Sequence, residues 1–276
     1  MSPLVTALVL GAALLHAGWN AIIKSSRDSM LDTALVAAGA TLLSLPLAVS
    51  VAMPARASWP FLAISVAVHV AYFATLARAY RVGDLGHAYP LMRGTAPLLV
   101  ALFGVALLHE QPSAATWLGI ILISGGVLSI GLLQRGRAHR DATRWAITNA
   151  VIIASYTLVD GAGVRVSGTA AGYVAWLFLL QGPCFIALVA LRRRDALDYA
   201  ARNWRRGLAG SLFLVGSYGI VLWAMTRAPV AAVAALRETS VIFAAMFGSL
   251  LLKESFGRQR LIGACAVALG VIALRL

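Results

Sequence analysis

Two arginines, Arg93 and Arg237, stand inside long apolar stretches of the chain. Each lies about eight residues into a predicted helix, roughly 12 Å from the helix start. A guanidinium in such surroundings is costly unless it faces a cavity or a counter-ion. Two of them together can bind a carboxylate or a phosphate bidentately. The alternative is a fixed structural partner, either helix carbonyls or the nearby acids Glu238 and Asp160.

A second polar group is predicted on the first and sixth helices. Asp160 is the only acid deep in the sixth helix, and Asn20 is its counterpart in the first helix at a shift of 140 positions. The same shift relates Tyr156 to His16, so each helix presents two polar side chains four residues apart on one face. A carboxylate in apolar surroundings could take up and release a coupling proton. It could equally be a permanent counter-ion for one of the arginines.

Imidazole and aromatic side chains complete the candidates. An imidazole titrates near neutral pH, although a lone buried histidine is more often a hydrogen-bonded packing residue. Aromatic rings could stack on an organic ligand or simply anchor and pack the helices. Tyr72 and Tyr218 are the better ligand candidates, because they match one another at a shift of 146 positions. The candidate ligand-binding residues are Arg93, Arg237, Tyr72, Tyr218, His16, Trp19, Asn20 and Tyr156, with Asp160 as the candidate coupling residue.

The motifs of several other chemistries are missing from the sequence. It contains no Ser-His, paired-Asp or HExxH arrangement, so we expect neither a catalytic centre nor a metal site. Cys184 and Cys265 both fall inside apolar stretches, which disfavours a structural disulfide. No glycine-rich stretch is followed by GKS or GKT. We therefore expect no cofactor and no direct use of ATP by this chain.

Long apolar helices must position these residues. The chain has 276 residues, of which 61% are hydrophobic and 12% charged, about half the charged share of a soluble domain. The net charge of +13 is spread over helix ends rather than gathered in a basic domain, which disfavours nucleic acid as a partner. Apolar stretches long enough to cross about 30 Å of hydrocarbon recur along the chain. They predict an all-α integral membrane protein with ten transmembrane helices, at residues 3–23, 31–53, 60–81, 85–108, 115–133, 144–165, 169–191, 206–226, 229–252 and 259–275.

The distribution of basic residues predicts the orientation. Loops after odd-numbered helices carry 17 of the 23 Lys and Arg, and the opposite loops carry four. Short cytoplasmic loops are enriched in these residues, so both termini should face outside. The first helix has no basic start and continues through His16, Trp19 and Asn20, so we expect it to be retained rather than cleaved as a signal peptide.

The chain contains a diverged internal repeat. A shift of 144 positions carries Arg93 to Arg237, and it also relates Glu110 to Glu254, Gly119 to Gly263 and Gly126 to Gly270. The predicted halves are residues 1–134 and 144–276, joined by a basic linker loop at 135–143. Five helices per half force the second half to enter the membrane inverted. Inverted repeats are typical of transporters that open one central site alternately to either side.

Several motifs resemble those of a known family. The most specific segments are Tyr89 to Pro97, Leu107 to Glu110, Gly119 to Gly126, Leu251 to Glu254 and Gly263 to Gly270. On these, the chain resembles the drug/metabolite transporter superfamily, specifically proteins with two EamA-type five-helix repeats, over nearly all its length. Val241 stands where the first half has Pro97, and the two arginines are not general features of these motifs.

The resemblance implies a secondary active transporter in the plasma (inner) membrane, not an enzyme. It implies export of small metabolites such as amino acids or organic anions by alternating access, coupled to protons or to exchange. The alternative is an exchanger or flippase of phosphorylated or lipid-linked substrates, which the arginine pair would suit. The expected partners are a small-molecule substrate and the lipid bilayer. Because one chain holds both halves, it could act as a monomer.

Overall fold

The structure is a computed structural model that describes residues 1–26, 28–82, 85–132, 140–252 and 258–276, without the side chains of 73–74, 76–82, 85–88, 131–132, 248–252 and 258–260. All regular secondary structure in these ranges is helical, including one 3₁₀ turn at Arg56–Ser58. The α-helices are α1 (Pro3–Lys24), α2 (Ser29–Ser50), α3 (Trp59–Val82), α4 (Leu85–Leu107), α5 (Ala114–Leu132), α6 (Arg140–Val166), α7 (Ala170–Ala190), α8 (Ala196–Met225), α9 (Val230–Arg237), α10 (Ser240–Leu252) and α11 (Arg258–Ala273).

These helices make ten spans, because α9 and α10 follow one another as a single interrupted span. Within the described chain, seven spans are long and apolar enough to cross a membrane: α1, α2, α4, α6, α7, α8 and the α9–α10 pair. The described apolar stretches of α5 and α11 are shorter. The prediction of an all-α membrane fold with ten helices is confirmed. Of the predicted linker 135–143, residues 135–139 lie outside the described residues and α6 begins at Arg140.

The ninth span is broken, so the prediction of one continuous helix over 229–252 is wrong. The amides of Glu238 and Thr239 donate to carbonyls three residues back, at 3.0 and 3.2 Å, and those of Val241 and Ile242 do the same. This tighter pattern is that of a 3₁₀ turn. The Thr239 hydroxyl also donates to the Leu236 carbonyl, at 2.8 Å. Local bonds therefore satisfy the interrupted backbone, as they must at membrane depth.

The predicted start of the eighth span at residue 206 is also wrong, because α8 begins at Ala196. Its 30 residues make a helix about 45 Å long, which exceeds the hydrocarbon thickness. Hydropathy marks only the part of a helix that lies in lipid. The polar first turns of α8 therefore escaped the prediction and extend beyond the span.

The two halves are related by a two-fold axis at the crossing of α5 and α11. A Cβ built on Gly126 would lie 2.7 Å from the Gly263 carbonyl oxygen, and one built on Gly270 would lie 2.8 Å from that of Gly119. Only glycines allow helices to approach so closely. Gly119 is the repeat counterpart of Gly263, and Gly126 that of Gly270, so the two contacts are images of one another. Because the numbering of the two helices runs in opposite directions, they are antiparallel, as inverted repeats require.

Other cross-half pairs follow the same axis. α2 packs on its counterpart α7, α1 on α8 and α3 on α6. Side-chain hydroxyls bridge these helices: Ser217 Oγ donates to the Ala12 carbonyl at 2.9 Å, and Thr75 Oγ1 to Asn149 Oδ1 at 3.0 Å. The fold is thus interleaved, with each half packing mainly on the other. A site at its centre receives side chains from both halves.

Candidate functional site

The two buried arginines meet around one carboxylate. Arg93 Nε lies 2.7 Å from Glu238 Oε2, and Arg237 Nη2 lies 3.7 Å from Glu238 Oε1. Arg93 is 5% exposed, Arg237 3% and Glu238 1%. Arg93 comes from α4 in the first half, whereas the other two residues stand at the break between α9 and α10. The break therefore delivers a charged pair to the centre of the fold.

The three charges are not fully satisfied by one another. In the described part of the chain, Arg237 Nε is buried without a hydrogen bond, and Arg93 Nε and the two Glu238 oxygens have only the ion-pair contacts given above. Two guanidinium groups share a single carboxylate, so the cluster carries one excess positive charge. Buried polar atoms normally have partners. This arrangement is chemically suited to an added anionic group that accepts from both arginines.

Arg93 is the better fixed of the two arginines. Its Nη2 lies 3.2 Å from His16 Nε2 and donates to Ser240 Oγ at 3.3 Å. Trp19 Nε1 approaches the other imidazole nitrogen, Nδ1, at 3.3 Å, and Asn20 donates to the His16 carbonyl at 2.8 Å. A neutral imidazole has one acceptor nitrogen, so His16 can accept from only one of its two donor neighbours. The structure thus groups His16, Trp19 and Asn20 with Arg93.

Asp160 forms a separate cluster with tyrosines. It is fully buried, the Tyr173 hydroxyl donates to its Oδ1 at 3.0 Å, and the Tyr218 hydroxyl donates to its Oδ2. Its described hydrogen bonds therefore come from hydroxyls, whereas the arginines use Glu238 as their counter-ion. Tyr173, on α7, was not among the sequence candidates. Its hydroxyl within an apolar span was the only available signal.

An aromatic wall connects the two clusters. The His69 ring stacks on Tyr156 with centroids 4.3 Å apart and meets the edge of Tyr218 at 6.2 Å. Tyr72 packs edge-on against Tyr156 at 5.9 Å. The candidates Tyr72, Tyr156 and Tyr218 therefore come together, and the structure adds His69 to them.

One end of α9 is held by a clasp, defined by Glu110 and Arg165. Glu110 Oε1 accepts from Arg165 Nη2 at 2.7 Å and from the Val230 amide at 2.8 Å. Arg165 also donates to the Met225 and Ala228 carbonyls, at 2.8 and 3.0 Å. Glu110 therefore caps α9 and holds a basic group. Its counterpart Glu254 lies outside the described residues.

α9 connects this clasp to the buried charges. All eight of its residues, from Val230 to Arg237, are buried at 3% exposure or less. Its first turn is capped by Glu110, and its last residue is one of the central arginines. A short, fully packed helix moves as one body. α9 therefore connects the clasp directly to the central arginine Arg237.

Two inverted five-helix halves around a buried polar centre are the architecture of a secondary transporter. A profile of the EamA-like transporter family matches residues 4–132 and again 143–276. The chain belongs to this family and is a multi-pass membrane protein.

Two further comparisons agree with this class. A curated relative from Sinorhizobium sp, described as "Uncharacterized transporter in cobO 3'region", is 34% identical over 80 residues, 29% of this chain and 55% of the relative. The chain thus spans about half the length of the curated relative that it matches. A solved structure described as "Crystal structure of protein" aligns with a TM-score of 0.78 at 17% identity, over 99% of this chain and 98% of the other. At that identity the likeness concerns the fold alone.

Proposed function

We propose that the chain exports a small metabolite bearing a carboxylate or a similar anionic group, such as an amino acid or an organic anion. The observation that carries the proposal is the pair of buried arginines, one from each half, sharing the single carboxylate of Glu238. A substrate anion there would accept from Arg237, whose Nε–H has no described hydrogen bond, and balance the excess charge. The tyrosine and histidine rings beside the cluster would contact the organic part of the substrate.

Alternating access is the proposed mechanism. In an inverted repeat, the arrangement adopted by one half can be exchanged with that of the other, which exposes the shared site to the opposite side. The clasp at the start of α9 would close one side while the central residues are occupied. Since the sequence has no nucleotide-binding motif, we propose that gradients drive the movement. The proposed location is the plasma (inner) membrane, with a monomer as the working unit.

Asp160 is the proposed coupling residue. While it is ionised, Asp160 and Glu238 together balance the two arginines. Once Asp160 is protonated, one positive charge is left to attract an anion. Proton uptake and anion binding would then favour one another, and this linkage is reciprocal. A proton and an anion leaving together would make an electroneutral export driven by the accumulated metabolite.

A second candidate is an exchanger or flippase of phosphorylated or lipid-linked substrates. Two guanidinium groups also match the geometry of a phosphate. The aromatic wall suits the first candidate, because its rings would enclose a small substrate. The two candidates differ in the class of compound that the protein should transport: carboxylates for the first and phosphorylated compounds for the second.

Solute counterflow tests the proposal. Liposomes that contain the purified protein are loaded with an unlabelled compound, and uptake of the labelled form of the same compound is followed. The compounds tested are amino acids, carboxylates, phosphorylated metabolites and organic cations. Counterflow of a carboxylate-bearing compound is the expected result. Counterflow confined to phosphorylated compounds would select the second candidate. Flux of cations alone, or no flux from protein shown to be folded by its cooperative thermal unfolding, would reject both.

A further inference from the structure

A basic segment, residues 191–206, lies at the predicted cytoplasmic end of the fold. It comprises the turn after α7 and the part of α8 that extends beyond the predicted span. It contains six arginines and two aspartates. Nothing in the proposed transport mechanism uses this segment. Its charge and its exposed faces indicate a role outside that mechanism.

One face of the segment is anchored to the helix bundle. Tyr199 and Ala196 pack against Leu31, Phe185 and Val189 of α2 and α7. The Tyr199 hydroxyl donates to Asp32 Oδ1 at 2.9 Å, and Arg206 Nη2 donates to the Ile22 carbonyl at 2.7 Å. These contacts fix the rotation of the helix. Its opposite face therefore has a definite direction, away from the bundle.

That opposite face carries an apolar stripe. Leu197, Ala201, Trp204 and Leu208 recur at helical spacing, and Leu197 is 85% exposed, Trp204 54% and Leu208 40%. The stripe continues to Leu212, which is 53% exposed and lies within the predicted span. A run of exposed apolar residues that joins the surface facing lipid marks a membrane contact. Tryptophan is enriched at the depth of the headgroups.

Arginines flank the stripe. Arg193 is engaged by Asp28 and Asp195, and Arg206 by Asp32. Arg192, Arg194, Arg202 and Arg205 are exposed and make no ion pair with any described residue. The Arg205 guanidinium stacks on the Trp204 ring at 5.4 Å. Free guanidinium groups beside an interfacial tryptophan suit lipid phosphates.

We propose that the 191–206 segment binds the headgroups of anionic phospholipids on the cytoplasmic leaflet. Leu197 and Trp204 enter the interface, and the free arginines bind headgroup phosphates. Charge argues for this partner, since four arginines without a described ion pair lie beside a transmembrane helix, where the cytoplasmic leaflet is anionic. The anchored face holds them at headgroup depth, so binding requires no folding of a flexible arm.

Native mass spectrometry of the detergent-solubilised full chain tests the proposal. Wild type and the double variant Arg202→Gln/Arg205→Gln are titrated with phosphatidylglycerol or with phosphatidylcholine of the same acyl chains. The matched control is Arg56→Gln/Arg227→Gln, two exposed arginines at the predicted opposite end, where Arg227 stacks on Trp223 at 4.8 Å. Both substituted pairs are on the surface, and unfolding temperature checks that each variant is folded.

The proposal expects the double variant to bind phosphatidylglycerol at least threefold more weakly, with no change for phosphatidylcholine or in the control. An equal loss of phosphatidylglycerol binding in the control pair would mean that binding depends on net charge and not on this segment. That result would overturn the proposal. Equal binding of the two lipids by wild type would also overturn it. Displacement of phosphatidylglycerol by equimolar inorganic phosphate would identify a free-anion site instead of a lipid surface.

Discussion

Arg93 and Arg237 occupy equivalent positions in the two halves, yet their surroundings differ. Arg93 has an ion pair at 2.7 Å and two further polar neighbours. The described ion pair of Arg237 is 3.7 Å long, and its Nε is buried without a hydrogen bond. Arg93 is therefore the structural partner of Glu238. Arg237 is the one with hydrogen-bonding capacity left for a substrate anion.

The coupling role of Asp160 predicts a separation between exchange and gradient-driven flux. Asp160→Asn keeps the shape and one acceptor oxygen, while its NH2 group would donate to the other tyrosine hydroxyl, but it cannot exchange a proton. We expect counterflow near the wild-type rate, while a pH gradient no longer accelerates net flux. Tyr173→Phe, which removes one donor but leaves the carboxyl group, is the matched control and should retain the response. A full pH response in Asp160→Asn liposomes would rule out the coupling role.

The loop network around Arg193 predicts a pH dependence outside the membrane. Partial burial opposes ionisation of Asp28, but the Leu31 amide and Arg193 outweigh it, so the pKa of Asp28 lies below its usual value. The hydrogen bond from Arg193 likewise lowers the pKa of Asp195. Groups with lowered pKa stabilise the fold above their unfolded pKa, about 3.9, and lose that contribution as the pH falls through the folded pKa.

Thermal unfolding of Arg193→Gln against wild type measures this contribution. We expect the unfolding temperature of the variant to lie below that of wild type by a constant difference from pH 8 to pH 5. Below about pH 4 the difference should shrink. Arg192→Gln, an exposed neighbour, serves as the control. If the difference in unfolding temperature changed near neutral pH, a group other than Asp28 or Asp195 would be responsible for it.

Sequence patterns could identify many residues of the site, because polar side chains in apolar spans stand out. Arg93, Arg237 and Asp160 are all found this way. Glu238 was among the partners expected for the arginines, whereas Tyr173 was not foreseen because it meets Asp160 only through the contact of α6 with α7. The sharing of Glu238 likewise depends on a helix break that hydropathy does not detect.

At the scale of elements, the cap on α9 predicts a stability effect. Glu110→Ala leaves the Val230 amide and Arg165 without their carboxylate partner. We expect a loss of about 2 kcal/mol in unfolding free energy, measured by thermal unfolding in detergent. Gln111→Ala, at an exposed neighbouring position on the same connection, should be neutral. A neutral Glu110→Ala would mean that α9 needs no cap.

The crossing of α5 and α11 offers a neighbouring pair of glycines as test and control. A Cβ on Gly126 would meet the Gly263 carbonyl oxygen at 2.7 Å, whereas a Cβ on Gly125 would meet nothing within 4 Å. Gly126→Ala should therefore cost about 1–3 kcal/mol through overpacking. Gly125→Ala should be neutral or slightly stabilising. Equal unfolding temperatures for the two variants would contradict this close approach.

Helix positions were largely predictable because each span needs a long apolar run. α1, for example, was expected at 3–23 and spans Pro3–Lys24. The two misses have physical causes. The extension of α8 lies outside lipid, where hydropathy carries no signal. The break after Arg237 is made by tight backbone bonds inside an otherwise apolar span.

At the scale of the molecule, both halves contribute to the arginine cluster and to the aromatic wall. The first half supplies Arg93, His16 and the aromatic residue Tyr72, and the second supplies Arg237, Glu238 and Asp160. Paired glycines on the axis and the α2–α7 contact let the halves pack as inverted images. The inverted relationship was readable from an odd helix count per repeat. The interleaved packing, which puts one shared site at the centre, required the structure.

The central claim is that Arg237 holds the negative charge of the substrate while Arg93 maintains the site. The most direct test is the KM for counterflow of the transported compound in Arg237→Gln, Arg237→Lys and the exposed control Arg56→Gln, each with its unfolding temperature. The account predicts at least a tenfold higher KM for Arg237→Gln, an intermediate value for Arg237→Lys and no change for the control, with all three folded. Arg93→Gln should instead fail mainly in stability, because it leaves Glu238 buried without its close partner. An unchanged KM in folded Arg237→Gln protein would contradict the account.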